Sequence, residues 1–326
     1  MRYWKLELQT ALELADELLA GAEHVKDPAM LLTGNRARGT TLFFLGELVS
    51  ANEHLEKALA VFDLRQPLPA ELEAQRMGSF LFLYSCLYGL GYPDRAWAKS
   101  REMLEVAQRS SNPAVWALAS CSVPEHHLLR GDSMTAQKCA EEAMVFTENM
   151  GLATNSATAT ANHGAALIAQ GRYEEGIAEM RRGARGTAAP RLCCHLASAF
   201  GGLGRPQEGL QVLDEGFASV TREGAQLYSP WLHRVKGELL LLQDQSNDDE
   251  TERCFHTAIE IARQQSARSE ELLATMSLAR LLAKQGRRDE ARRMLTEIYN
   301  WFTEGFDTAD LKDAKALLDQ LSTRER

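Results

Sequence analysis

The feature that most limits what this chain can become is a glycine followed five residues later by another small residue. It occurs as Gly46/Ala51, Gly91/Ala96, Gly131/Ala136, Gly171/Gly176, Gly204/Gly209 and Gly286/Ala291. Apolar residues at helical spacing flank these points, most clearly from Leu272 to Ile298. There Leu273, Met276, Leu278, Leu281 and Leu282 precede Gly286, and Ala291, Met294, Leu295 and Ile298 follow it. A glycine supplies the left-handed backbone that ends one helix, and the small residue lets the next helix fold back closely. Pro93 and Pro206 stand two residues after their glycines, where a new helix begins and needs no intrahelical donor.

Successive glycines lie 45, 40, 40, 33 and then 82 residues apart. The last gap spans two periods, which places a further copy at Trp231 to Ala262, with Gly237 and Ala258 at its small positions. Its turn, Asp244-Gln245-Ser246-Asn247-Asp248, is polar and lacks the glycine. A repeat of roughly 34–45 residues marks a helical solenoid, stable once about three neighbours cover one another. Small residues on the first helix of each copy (Gly39, Gly164, Ala197, Gly237, Ala279) admit the second helix. Large ones on the second (Leu55, Met180, Leu213, Phe255, Leu295) are expected to fill the space between copies. The predicted fold is all-α: a right-handed superhelical solenoid of about seven helix pairs, with a leading half-repeat and a C-terminal capping helix. Residues 1–326 read as one solenoid: an unpaired leading helix over 1–26, the pairs over 29–306, and the cap over 307–322.

Trp4, Leu8, Ala11, Leu12, Ala15, Leu18 and Leu19 form one apolar stripe in the leading helix. It resembles a second helix without its first. The expectation is that the chain continues a longer polypeptide or that the stripe docks on a partner, including a second copy. At the other end Asp307 or Thr308 is expected to cap a helix carrying Leu311, Ala314, Leu318 and Leu321 on one side. Lys312, Asp313, Lys315 and Asp319 lie on the other side.

A net charge of −9 opposes phosphate backbones and makes nucleic acid a poor partner. Six cysteines without CxxC spacing, and acids early in the chain where a secretory core would be uncharged, point to a reducing cytoplasm. The uncharged runs Met77–Pro93 and Asn149–Gly171 carry glycines or many Asn, Thr and Ser. They read as buried helices rather than membrane spans.

All seven units resemble tetratricopeptide repeats. Three segments also resemble the C-terminal repeat region of bacterial signalling proteins in which a class III cyclase-like domain and an AAA-type ATPase module precede the repeats. These are Gly34-Asn35-Arg36-Ala37 through Leu45-Gly46-Glu47, Lys236-Gly237-Glu238-Leu239-Leu240, and Trp301-Phe302-Thr303-Glu304-Gly305-Phe306-Asp307 onward to Leu318. The last is the most specific, since no general packing rule demands it. The resemblance implies a sensor or scaffold arm, with an ATPase or cyclase module as a possible partner. No GxxxxGK[ST] loop is present, so neither activity carries over.

Several clusters invite a chemical reading. Adjacent helical Cys193 and Cys194 diverge by about 100° and, with His195, read as packing residues rather than metal ligands. In Glu125-His126-His127, after a Pro124 expected to interrupt its helix, His127 is expected to be a core histidine. Gly201-Gly202-Leu203-Gly204 reads as a turn rather than a phosphate loop. Arg181, Arg182, Arg185 and Arg191, and separately Arg287, Arg288, Arg292 and Arg293, read as solvated faces, with an acidic partner or RNA as the alternative. No catalytic, cofactor or metal residues are assigned. In tetratricopeptide repeats, positions 2, 5, 9 and 12 of the first helix face inward. They give a candidate groove of Arg36, Thr40 and Phe43; Leu81, Ser85 and Tyr88; Cys121 and Glu125; Ala161, Ala165 and Ile168; Cys194 and Ser198; Arg234 and Glu238; Met276 and Arg280. The expected function is a non-catalytic scaffold or sensor arm holding a peptide or protein segment in this groove. The alternatives are a peptide-responsive regulator and, less favoured, an enzyme subunit.

Overall fold

A glycine in left-handed conformation closes the first helix of most pairs: Gly46, Gly91, Gly131, Gly171, Gly204 and Gly286 all have φ between 68° and 90°. At each, the glycine N–H donates to the carbonyl three residues back and the next N–H to the carbonyl five back. Gly46 to Phe43 at 3.0 Å and Glu47 to Leu42 at 2.9 Å are typical. These bonds satisfy the carbonyls that a helix end leaves open.

The computed structural model describes residues 4–184, 189–243 and 248–323. Helix α1 (Trp4–Val25) leads. The pairs are α2 (Pro28–Leu45) with α3 (Leu48–Ala60), α4 (Ala70–Gly89) with α5 (Pro93–Arg109), and α6 (Pro113–Leu129) with α7 (Ser133–Asn149). Next come α8 (Ala153–Ala169) with α9 (Tyr173–Ala184) and α10 (Pro190–Gly202) with α11 (Pro206–Glu223). The last are α12 (Ser229–Gln243) with α13 (Asp248–Gln264) and α14 (Arg268–Lys284) with α15 (Arg288–Tyr299); α16 (Ala309–Ser322) ends the chain. The result is an all-α solenoid with no strand among the described residues. The glycine-free turn expected at 244–247 and Arg185 lie outside the described residues, as does the side chain of Trp4. No described helix is long and apolar enough to cross a membrane.

The small-against-large rule holds, with one addition. Leu55, Met180 and Phe255 share a core cluster with the first helix of the next pair and also seat against the small residue of their own pair. A Cβ on Gly39, Gly164 or Gly237 would come within 2.7 Å of those side chains. The helices of a pair therefore touch backbone to side chain. The sequence is corrected elsewhere. Pro124 does not interrupt α6, which runs through it to Leu129. Thr308 is the N-cap of α16, but its hydroxyl donates back to the Gly305 carbonyl at 2.8 Å instead of accepting from the helix. The turn before α14 uses Ser266 at φ 56°, a non-glycine in the left-handed region. The stripe on α1 is largely spent on α2: Leu19 fills the space over Gly34, and Leu12 packs into the first core cluster. Among the described side chains of α1, Leu14 and Val25 are the large apolar ones left exposed.

The coil also packs on itself, one turn upon the next. Helix α1 touches α11, α2 touches the 3-10 turn Gln226–Tyr228 before α12, and α4 touches α14. Gly131, after α6, lies against Ala309 at the start of α16. The offset is five repeats each time. Ala262 and Ala267 accordingly lie inside the N-terminal core cluster. The connection from α15 to α16 makes the densest contact. Trp301 covers Gly91, packs on Tyr92 with ring centroids 5.7 Å apart, and carries the Arg268 guanidinium at 5.2 Å. The first N–H groups of α5, whose own N-cap Tyr92 supplies no side-chain bond, donate from Asp94 and Arg95 to Glu304 Oε1 at 3.0 Å. Asp94 accepts from the Gly305 N–H at 2.9 Å, and Arg130 pairs with Asp307 at 2.5 Å. The Trp301–Asp307 run, which no local packing rule demanded, caps a helix some two hundred residues away.

Two glycine replacements separate these roles. Gly286 is at φ 80° with open space beside it, whereas a Cβ on Gly91 would lie 2.5 Å from the Trp301 ring. Gly286→Ala is expected to cost about 1–2 kcal/mol of backbone strain. Gly91→Ala should cost clearly more and change Trp301 fluorescence, measured by urea unfolding of both variants.

Candidate functional site

The inner face is built by the first helix of each pair. Its N-terminal third is aromatic: Phe43 is buried edge-on to Phe82 at 5.3 Å, with Leu81, Ser85 and Thr40 half-buried around it. Tyr88 is buried where the coil meets itself. Its hydroxyl lies 2.8 Å from both the Leu129 carbonyl and the Asp310 carboxyl, and its own carbonyl accepts from Ser269 Oγ at 2.6 Å. Burial pushes the Asp310 carboxyl above its ordinary value, with the Tyr88 bond opposing.

The middle third is small and is spanned by one long side chain. Ala161 is half-buried; Ala165 and Ile168 are buried in the core. Cys121 is buried and donates its thiol to the Asn155 carbonyl at 3.4 Å. Arg191, on α10, reaches across α8 to Glu125 on α6 at 3.3 Å. Asn162 braces it, accepting from Arg191 at 3.1 Å and donating to the Cys121 carbonyl at 2.8 Å. Glu125 holds the Arg191 guanidinium above its ordinary pKa against the pull of burial. Arg191 therefore belongs to the inner face and not to an outer basic patch. Its place one residue into α10, after Pro190, was the available signal.

The C-terminal third is charged. Arg234 donates to Glu238 at 2.9 Å, and Ser277 donates to the same oxygen at 2.8 Å. Burial opposes the Arg234 charge, while Glu238 and Glu270 together more than restore it. Burial pushes Glu270 up despite Arg234, and its Oε2 is buried without a partner. Cys194 is fully enclosed among Glu270, Arg234 and Arg191, with its thiol pushed well up by burial. Ser198 is half-buried, Met276 buried and Arg280 exposed. Arg280 borders a cavity of about 480 Å³ between α12, α14 and α16, with Glu238, Ser277, Leu281, Leu317 and Leu321. Of the sequence-assigned groove, then, Phe43, Tyr88, Cys121, Ala165, Ile168, Cys194 and Met276 lie within the packing, and the remainder are half-buried or exposed.

The other clusters resolve physically. His126, not His127, is the core histidine. It stacks on Tyr84 at 3.5 Å between ring centroids and meets Ser100 Oγ at 2.5 Å, whereas His127 lies edge-on to Trp97 near Asp132. Cys193 and Cys194 are buried, and burial raises the Cys193 thiol to about 11. His195 packs edge-on to Trp231. No group of three potential ligands able to hold a metal occurs among the described residues. Gly204 is simply the closing glycine of α10. In the outer basic patches, Arg182 pairs with Glu179, Arg181 lies over Phe200, and Arg287 spans Glu252 and Glu290. Arg288 caps the last carbonyls of α16, and Arg292 faces Asp289.

The sequence model of the tetratricopeptide repeat matches residues 157–182 and 272–296, which are most of α8 and α9 and most of α14 and α15. Two of the helix pairs thus match the tetratricopeptide repeat. Its fold is similar to the Rap conjugation gene regulator of plasmid pLS20 in complex with the Phr* peptide, at 12% identity over 94% of this chain and 80% of that one, TM-score 0.65. A Rap protein complexed with competence and sporulation factor gives 12% identity, 89% and 80% coverage, and TM-score 0.59. Cut9 in the APC/C hetero-tetramer Cut9-Hcn1 gives 14% identity and TM-score 0.59; 95% of this chain covers 58% of that one. No curated protein sequence matches the chain.

The buried imidazoles make stability depend on pH. Burial lowers both His126 and His195 from the usual 6.5 to about 3. The unfolded chain therefore binds protons first, and acidification from pH 6.5 toward 3 favours unfolding. Each histidine contributes a slope of about 1.4 kcal/mol per pH unit. Glu270 and Asp310, whose carboxyls burial raises, act in the opposite sense. His126→Phe should remove about one proton's worth of the acid-side slope in melts taken from pH 7 to 4.

Proposed function

We propose that this chain is a non-catalytic interaction module that holds a peptide or an extended protein segment along its inner face. The observation that carries the reading is the composition of that face. Half-buried Leu81, Ala161 and Ser198, one in each third, give the face an uncharged floor that runs from its aromatic end through its small middle to its charged end. Such a floor suits an extended or helical segment that is apolar in its middle. Two observations support it: the match of two units to the tetratricopeptide repeat, and a similar structure that holds the Phr* peptide. The resemblance of the Trp301–Leu318 run and of the Gly34 and Lys236 segments further supports a sensor or scaffold arm of a bacterial cytoplasmic signalling system. An ATPase or cyclase module would then be its partner. Co-purification with such a module, when the two are co-expressed, is the test of that finer statement.

A second reading, a regulator whose coil changes pitch when a peptide binds, draws on the turn-upon-turn contacts. The bonds of Tyr88 with Asp310 and Ser269 join those turns, and a change of pitch would have to break them. A change in radius of gyration on peptide binding, measured by small-angle scattering, would separate this regulator from a static scaffold.

Ala161→Glu and Leu81→Glu place a charge on the half-buried floor without entering the core. Ala165 is unsuitable because it is enclosed. Each variant is expected to keep its helical circular dichroism and lose at least tenfold in capture of a randomised octapeptide library. Undiminished capture by both folded variants would refute the inner-face assignment.

A further inference from the structure

An arginine that loses water needs an acceptor, because an unpaired buried charge costs several kcal/mol. Among the described residues, every arginine that is half-buried or buried meets one, with a single exception. Arg38 pairs with Asp16, Arg191 with Glu125, Arg234 with Glu238, and Arg288 with backbone carbonyls. The exception is Arg36, on the inner face of α2. Its Nε is buried with no hydrogen-bond partner, and no ion pair involves it. Burial lowers its pKa and no carboxylate restores it, the reverse of Arg191 and Arg234.

Two further observations sit beside it. The guanidinium lies over the bare backbone of Gly78 on α4; a Cβ there would stand 2.8 Å from Nε and 3.1 Å from Nη2. Residue 78 thus leaves open the space the cation occupies. One helical turn along from Arg36, the Thr40 hydroxyl is also buried and unpartnered. Thr33 and Thr41, on the same helix, bond back to the carbonyl four residues earlier, and Thr40 does not. A guanidinium and a hydroxyl, both unspent and four residues apart, form a donor pair suited to an oxyanion.

We propose that Arg36 and Thr40, cradled over Gly78, bind a carboxylate of the segment that occupies the inner face. This inference rests on the inner-face reading and deepens it. The carboxylate is either the segment's own C-terminus or an Asp or Glu side chain. Further along, Arg191 pairs with Glu125 and Arg234 with Glu238, so Arg36 is the half-buried guanidinium of this face that has no carboxylate of its own.

The test uses the full chain, its Arg36→Met and Gly78→Ala variants, and two synthetic octapeptide libraries, one with free C-termini and one amidated. Bound peptides are identified by mass spectrometry. Wild type is expected to enrich acid-bearing peptides at least tenfold over neutral ones. Arg36→Met should still capture neutral peptides and lose the acid preference, and Gly78→Ala, which displaces the cation, should weaken it. A preference confined to the free-carboxylate library assigns the C-terminus; one that persists in the amidated library assigns a side chain. Without peptide, Arg36→Met should melt no lower than wild type, and a clear loss of stability would mean that Arg36 already has an internal partner and would overturn the proposal. An unchanged acid preference in Arg36→Met would also overturn it while leaving the inner face intact. Capture of no peptide by wild type would overturn both readings.

Discussion

The structure depends on the close approach of two helices at a residue with no side chain to spare. Gly39, Gly164 and Gly237 admit Leu55, Met180 and Phe255 so tightly that a methyl group would not fit. That approach sets how sharply each pair folds, and the left-handed glycine after it sets where the fold occurs. Repeating the same geometry fixes how much each pair rotates against the next. With five repeats to the turn, the coil is narrow enough for Arg191 to reach across α8 to Glu125, and short enough in pitch for one turn to rest on the next.

Much of this was legible because it is local. A glycine and a small residue five apart state a turn and a contact in the same breath, and Pro93 and Pro206 mark the helix that follows. The hidden sixth pair could be placed because its small residues kept register even where its turn did not. What was not legible comes from distance. Tyr88 and Asp310 are 222 residues apart, and nothing in either neighbourhood announces the other. The Trp301–Asp307 run looked unexplained for the same reason. Its partners are the exposed start of α5 and the glycine at 91, which local reasoning had already accounted for. His126 and His127 were confused because Pro124 does not end α6; the helix continues, and its phase carries His126 inward. Arg191 was grouped with nearby arginines by sequence, although its helix position turns it the other way.

The inner face shows how a coil of this kind can be polar inside without being loose. Its polar groups are matched across helices as well as along them: Arg191 with Glu125, Ser277 with Glu238 and Tyr88 with Asp310 across, Arg234 with Glu238 along. Each match across helices ties together elements distant in sequence. Arg36, half-buried and without an ion pair, is left outside this scheme.

The five-repeat offset also changes what kind of folding problem the chain presents. In an open array each unit touches only its neighbours, so stability accumulates unit by unit and the ends fray independently. Here the first units cannot complete their surfaces until the last ones exist, since Gly91 and the start of α5 are covered by residues 301–305. Bringing them together closes a loop of about two hundred residues, an entropic step that grows only slowly with length but must precede the contacts that reward it. The chain is therefore assembled locally and finished globally. Its two ends form one cooperative unit even though they are the last parts of the molecule that the linear sequence would pair.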